Sequence, residues 1–281
     1  MKSIKFSKMV ASGNDFVLVE GGGAITGSAR RRALISSICD RKYGIGADGM
    51  LILEKSRRAD VRMRIFNADG SEAEMCGNGA RCVALFVGAK RTGQRPRPAS
   101  RFPREINIET KAGIIKSQVQ ANSVKIKLTD PKDITLDIPL RIGRRCLRVN
   151  FVNTGVPHTV IFVSGLQKID VRNLGNWVRY HRIFAPAGTN VNFVEAMDNR
   201  NIRIRTYERG VEDETLACGT GSVAAALITG CKLQNSGHGQ INVHTQGKEV
   251  LKVYFTQQGC DFSDVWLQGR ARPVFNGVYA F

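Results

Sequence analysis

One motif occurs twice, about half the chain apart, and any fold for this sequence must accommodate both copies. The first runs Asn67-Ala-Asp-Gly-Ser-Glu-Ala-Glu-Met-Cys76-Gly77-Asn78-Gly79-Ala80-Arg81. The second runs Glu208-Arg209-Gly-Val-Glu-Asp-Glu-Thr-Leu-Ala-Cys218-Gly219-Thr220-Gly221-Ser222. Each is entered by a strand-like triplet, Arg64-Ile-Phe or Arg205-Thr-Tyr, and passes a glycine and acidic residues. Each ends in Cys-Gly-x-Gly, which opens a small-residue, helix-like stretch. Internal duplication of this kind points to architecture. It resolves a length of 281 residues, which by itself fits one large or two ordinary domains, in favour of two halves.

The 42% of hydrophobic residues supplies a buried core. Apolar runs such as Val223 to Ile228 are too short to span a membrane, and no secretion signal is visible, so a cytoplasmic protein is expected. Seven cysteines are too sparse, and of the wrong parity, for a disulfide framework. Cys39, Cys146, Cys231 and Cys260 read as small buried residues. Without a Cys-x-x-Cys pair or clustered histidines, no metal is expected.

The formal charge of +18 could mark a nucleic-acid binder. Yet the charge is spread along the chain, concentrated only at Arg30-Arg31-Arg32 and in a Pro/Arg-rich stretch from Lys90 to Arg104, read as an exposed loop. No aromatic-interleaved or helix-turn-helix pattern accompanies it. Nucleic acid is therefore not expected as the main partner.

Periodicity gives strands at Ile4–Val10, Phe16–Glu20, Met50–Glu54, Arg62–Asn67, Glu105–Thr110, Gly113–Val119 and Val124–Leu128, with a helix after Ser28. The Gly21–Gly27 segment reads as a loop, and Thr129-Asp130-Pro131 as a hinge. Further strands follow at Leu147–Val152, Thr159–Val163, Asn192–Ala196, Ile202–Tyr207, Gln240–Thr245, Glu249–Thr256 and Asp264–Gln268. One main helix follows each motif cysteine, at about 77–88 and 219–229. The implied class is α+β: two mixed domains, each a curled, mainly antiparallel sheet around a helix.

A cysteine in the first turn of a helix feels the partial positive charge of unpaired N–H groups. Such a site can bring a thiol from a pKa of ~8.5 into the ~3.5–7.5 range. The glycines after it let N–H groups approach a carboxylate closely. Two such thiols on opposite faces of one α-carbon could remove a proton from one side and return one to the other, without a cofactor. A single Cys-Gly-x-Gly is more often a structural turn; two copies in matching contexts favour a shared site.

The chain resembles the diaminopimelate epimerase family along nearly its whole length. The resemblance rests on Phe6-Ser-Lys-Met with Gly13-Asn14-Asp15-Phe16, Gly44-Ile-Gly-Ala-Asp48-Gly49, Arg64-Ile-Phe-Asn67-Ala-Asp-Gly and Cys76-Gly-Asn-Gly-Ala-Arg-Cys82. It continues through Gly155-Val-Pro-His158, Gly188-Thr-Asn190-Val-Asn-Phe and Tyr207-Glu208-Arg209-Gly with Ala217-Cys218-Gly-Thr-Gly. Proline racemases and phenazine-pathway isomerases share the fold, but racemases usually carry His where Asn78 stands.

The resemblance implies two pseudo-symmetric, barrel-like domains: residues 1–120 with 268–281, carrying Cys76, and residues 121–267, carrying Cys218. It implies a cofactor-independent epimerase that interconverts LL- and meso-diaminopimelate in lysine and peptidoglycan biosynthesis. Cys76 and Cys218 would be the two bases, with His158 and Glu208 tuning them. Substrate-binding positions carry over to Asn14, Asn67, Gly77, Asn78, Asn190, Glu208, Arg209, Gly219 and Thr220. A homodimer is implied, with Phe275 at its interface. Val156 stands where many members have Asn, and Gly49 where some have Gln. The same chemistry on another amino acid remains open at this point.

Overall fold

The computed structural model describes residues 2–21, 28–90, 103–143, 145–234 and 236–281. The chain divides into two compact units, Met1–Ile126 with Gly269–Phe281, and Lys127–Gln268.

In the first unit β1 (Ser3–Ala11) and β2 (Asn14–Glu20) form a hairpin turned by Ser12 and Gly13, both with positive φ. Helix α1 (Ser28–Cys39) crosses to β3 (Gly49–Glu54), which lies parallel to β2. Then β4 (Val61–Asn67) returns antiparallel, and the two-residue β5 (Glu72–Ala73) folds back on it. Helix α2 (Gly77–Lys90) crosses to β6 (Arg104–Thr110), parallel to β4. The meander closes with β7 (Gly113–Gln120) and β8 (Ser123–Lys127).

The second unit repeats this order. It opens with β9 (Lys132–Ile142), β10 (Arg145–Asn153) and β11 (Pro157–Phe162). Helix α3 (Val171–Arg179) leads to β12 (Asn190–Ala196), parallel to β11. Strands β13 (Asn201–Glu208) and β14 (Asp213–Thr215) precede helix α4 (Gly219–Leu233). That helix crosses to β15 (Gly237–His244), parallel to β13. The antiparallel β16 (Val250–Gln258) and β17 (Asp261–Arg270) complete the unit. The chain ends in β18 (Arg272–Ala280), which pairs with β1 as β9 does with β10. Parallel pairings occur where a helix intervenes; hairpins join the rest, as connection geometry requires.

Each central helix is apolar on nearly every side and is sunk in its unit. Helix α4 buries every residue from Gly221 to Cys231. Helix α2 buries Gly79 through Leu85, including Cys82. A helix hydrophobic all round must be surrounded. The strand faces turned away from α2 and α4 carry second cores. In the first unit, Val17, Val19, Met50, Ile52 and Phe66 pack with Ile35 and Ile38 of α1. In the second, Val149, Val191, Phe193 and Tyr207 pack with Val171 and Val178 of α3. The α3 contact is close enough to demand glycine: a Cβ on Gly175 would lie 2.5 Å from Tyr207 Cβ.

The α+β class read from the sequence is the observed one. The cysteine expectation needs one correction. Cys39 and Cys231 are buried, but Cys146 is exposed and Cys260 half-buried, because one lies on a solvent-facing strand position and the other in the β16–β17 turn. Residues 22–27 of the Gly21–Gly27 loop and most of the Lys90–Arg104 stretch lie outside the described residues. Among the described residues no helix is long and apolar enough to cross a membrane.

Candidate active site

Both motif cysteines cap helices. At Cys218 the thiol sulfur accepts the Gly221 N–H at 3.4 Å while its carbonyl accepts the Ser222 N–H at 2.9 Å. At Cys76 the sulfur accepts the Gly79 N–H at 3.5 Å and the carbonyl the Ala80 N–H at 2.9 Å. A Ser or Asp usually occupies such a position, because its side chain satisfies an orphan N–H of the first turn. Placing sulfur there aims the helix's unpaired donors at a group that can carry negative charge.

A matching clamp precedes each thiol. In the first unit Arg64 donates to both oxygens of Glu72, at 2.8 and 3.0 Å, tying β4 to β5. In the second, Arg205 donates to both oxygens of Glu214, at 2.7 Å each, tying β13 to β14. These planar forks are half-buried or better, where bidentate pairs hold geometry well. They fix the hairpin from which each Cys-Gly-x-Gly turn springs.

Around Cys76, the thiol donates to Asn14 Oδ1 at 3.9 Å, and Asn78 Nδ2 donates to the same oxygen at 3.4 Å. Asn14 is oriented from behind by Asp48, whose carboxylate accepts from Asn14 Nδ2 at 2.7 Å. Asp48 in turn shares Arg41 with Asp15. Burial pushes the Asp15 carboxyl up, but bonds from Arg41 and Lys8 outweigh it and hold it well below the usual range. Asn78 is fixed by the fully buried Arg81, which also donates to Ser12 Oγ at 2.7 Å. Asn67 stands apart from this cluster in its bonding: its amide donates to Ser71 Oγ at 2.9 Å and serves the turn.

Around Cys218, Thr220 Oγ1 lies 3.5 Å from the sulfur, and the Thr220 carbonyl accepts from Thr154 Oγ1 at 3.3 Å. Strand alternation puts His158, Asn190, Asn192, Thr206 and Glu208 on one face of β11–β13. His158 is fully buried, and burial, with the Arg209 charge adding to it, pushes its pKa down to about 3. Glu208 moves the other way: burial raises its carboxyl, only partly offset by the Thr215 hydroxyl, which donates to it at 3.0 Å. Asn190 accepts the Arg209 backbone N–H at 2.8 Å and donates to the Pro157 carbonyl at 3.0 Å. The Arg209 guanidinium donates to the Ala187 carbonyl at 3.2 Å, its one hydrogen bond among the described residues.

Sequence reasoning missed Asp48, Asn192, Thr215 and both Arg–Glu forks. Asn192 left a signal: it stands two residues after Asn190 on a strand, hence on the same face. Among the described residues no three His, Cys, Asp or Glu side chains cluster as a metal set.

Comparison with known proteins matches residues 6–133 and 150–261 to the diaminopimelate epimerase family. The diaminopimelate epimerase of Archaeoglobus fulgidus is 41% identical, over 98% of this chain and 96% of that one. The chain belongs to the diaminopimelate epimerase family. It is accordingly an epimerase, an isomerase. Another family member, from Aquifex aeolicus, is 37% identical over 98% of this chain and 97% of its own. Among solved structures, a Bacillus anthracis phenazine biosynthesis protein of the PhzF family superposes with TM-score 0.73 at 18% identity, covering all of both chains. A hydroxyproline epimerase from Agrobacterium vitis gives 0.68 at 15%, covering 99% of this chain and 91% of that one. At such identities these two speak to the fold, which is the one expected.

Proposed function

We propose that this epimerase interconverts LL- and meso-diaminopimelate, using Cys76 and Cys218 as its two bases and no cofactor. The observation that carries the reading is the duplicated cap: in each unit the sulfur of the motif cysteine takes the N–H that opens the central helix. Near-full-length similarity to several diaminopimelate epimerases supports the substrate.

In this reading one cysteine, as thiolate, takes the α-proton, and the electron pair spreads into the α-carboxylate. The other cysteine, as thiol, returns its proton to the opposite face, which inverts the centre. N–H groups at Gly77, Asn78, Gly219 and Thr220 receive the carboxylate and the charge that grows on it. A donor so placed is worth ~3 kcal/mol in a transition state. Asn14, Asn67 and Asn190 contact the amino acid's polar groups. Arg209 holds the distal carboxylate with the donors Ala187 leaves unused, since a guanidinium edge fits a carboxylate in a fork. Neutral His158 and the raised Glu208 set the electrostatics at the second thiol.

Both thiols must be reduced for this chemistry, which suits the cytoplasm, and the product class suits lysine and peptidoglycan biosynthesis. We further assign a homodimer through β18, where Val274, Phe275 and Val278 stand 48%, 48% and 62% exposed on an end strand.

The test is α-hydrogen exchange in D2O. Incubation with LL-diaminopimelate should give deuterated meso product without added cofactor. Exchange with another amino acid, and none with this one, would overturn the substrate.

A further inference from the structure

Asn192 settles which nitrogen of His158 carries the proton. Its Nδ2 lies 3.1 Å from the Thr159 carbonyl oxygen and 3.1 Å from His158 Nδ1. Its Oδ1 accepts the Thr206 hydroxyl at 3.0 Å. A carbonyl oxygen has no proton to offer, so the atom beside it must be the amide nitrogen; the opposite assignment would set two oxygens against each other. With one proton on Thr159, the second points at the imidazole. Nδ1 must then accept, and in a neutral ring the proton sits on Nε2. All members are sequestered: His158 and Asn192 are fully buried and Thr206 is 3% exposed. His158 Nε2 itself has no hydrogen-bond partner among the described residues, although buried.

The same asparagine touches the second thiol's turn. A Cβ on Gly221 would lie 2.4 Å from Asn192 Oδ1 and 3.3 Å from Cys218 Sγ, so the network backs directly onto the α4 cap. We propose that Asn192 is a positioning residue: it locks His158 as the neutral Nε2–H tautomer, so that the ring offers a donor and never acts as a base. Resting on the two-cysteine reading for its role in turnover, this deepens the assignment of His158. The histidine does not remove the thiol proton. It holds out a fixed N–H, whose bond strengthens when its partner is anionic. The depressed pKa of His158 agrees with a neutral ring.

The test has a spectroscopic arm independent of activity. In a long-range 1H–15N spectrum of the wild-type protein, with His158 assigned by loss of its signals in His158→Asn, Nδ1 should be pyridine-like and Nε2 protonated. A proton on Nδ1, or an imidazolium at neutral pH, would overturn the proposal. Asn192→Ala should yield a mixture of tautomers; an unchanged spectrum would show that Asn192 does not set it. Thr206→Val, which removes the hydroxyl that fixes Oδ1, provides a milder second variant with a partial shift in the same direction. In turnover of LL-diaminopimelate, Asn192→Ala should lower kcat at least about tenfold with KM little changed. It should stay short of the ~10⁴ lost when a histidine base is held in the wrong tautomer. If wild-type protein does not epimerise this substrate, the functional reading fails, while the spectrum still decides the tautomer.

Discussion

Cys218 Sγ accepts the backbone N–H of Gly221 at 3.4 Å, so the atom proposed to do chemistry is also the cap of its unit's central helix. The bond persists whether the sulfur is thiol or thiolate, and it is stronger to the anion. Fold and reactivity thus depend on one contact.

The two roles can be separated by substitution. Cys218→Ser keeps an acceptor at the cap and should hold stability within about 0.5 kcal/mol, whereas Cys218→Ala should cost about 1 kcal/mol. Both should lower kcat by at least ~10²-fold, the low end of a general acid–base contribution. Urea unfolding beside kinetics checks this; a serine variant with near-normal turnover would remove Cys218 from the mechanism.

The glycines behind the two thiols are not equally replaceable. At Gly221 an added methyl meets the buried Asn192 oxygen at 2.4 Å, an atom already committed to Thr206. At Gly79 it meets the Leu51 methyl at 3.0 Å, which a rotamer change can relieve. Gly221→Ala should cost about 1–3 kcal/mol, the usual range for overpacking, and Gly79→Ala less. Equal losses in denaturant midpoints would contradict the packing argument.

Acid should weaken the fold through His158. Its folded pKa, about 3, lies below the ordinary 6.5, so the unfolded chain binds the proton more readily. The associated stability is complete above about pH 6.5 and is lost as pH falls toward 3, with a slope of at most ~1.4 kcal/mol per pH unit for one group. His158→Gln should therefore show a flatter dependence between pH 7 and 5 than wild type. Parallel slopes would place a proton on the buried ring.

Glu72 acts in a lower window. The Arg64 hydrogen bonds, opposed by burial and aided by Lys111, bring its carboxyl from 4.5 down to about 2. Its contribution is present above pH 4.5 and fades as pH falls toward 2, since the unfolded carboxylate protonates first. Glu72→Gln should lower stability more at pH 7 than at pH 3, where part of the carboxylate's contribution has already faded. A uniform loss at both pH values would mean that the fork contributes packing rather than charge.

On the proposed dimer, Phe275→Arg should shift sedimentation from dimer to monomer. Phe275 stacks edge-on against Phe6 at 5.8 Å within its own unit, so a modest loss of stability is expected as well. Dimers that persist would move the interface away from β18.

Most of the fold was legible because strand alternation and the two helix starts are local signals. Several elements were not, and three of them show why. β9 alternates Ile134, Leu136, Ile138 and Leu140, but Pro139 interrupts the run and argues against a strand; among the described residues β9 pairs with β10, with Pro139 opposite Arg148, and a proline fits a strand where its missing N–H is not needed by a ladder. α3 carries Gly175 mid-helix, a poor helix former kept for its approach to Tyr207. β18, apart from the C-terminal strand implied by resemblance, shows Pro273 and Gly277, and Gly277 is held against the Phe6 ring. At the site, the cysteines and asparagines stood out by motif. Asn192 and the Arg–Glu forks act across strands, and sequence spacing does not reveal which residues face each other.

The recurrence of the fork at Arg64–Glu72 and Arg205–Glu214 turns the molecule into its own control. One charge-neutralising change, made first in one unit and then in the other, would compare the same bond in two surroundings under identical solvent, temperature and expression. Any difference in outcome would then measure what the setting adds, a comparison that ordinarily requires two separate proteins.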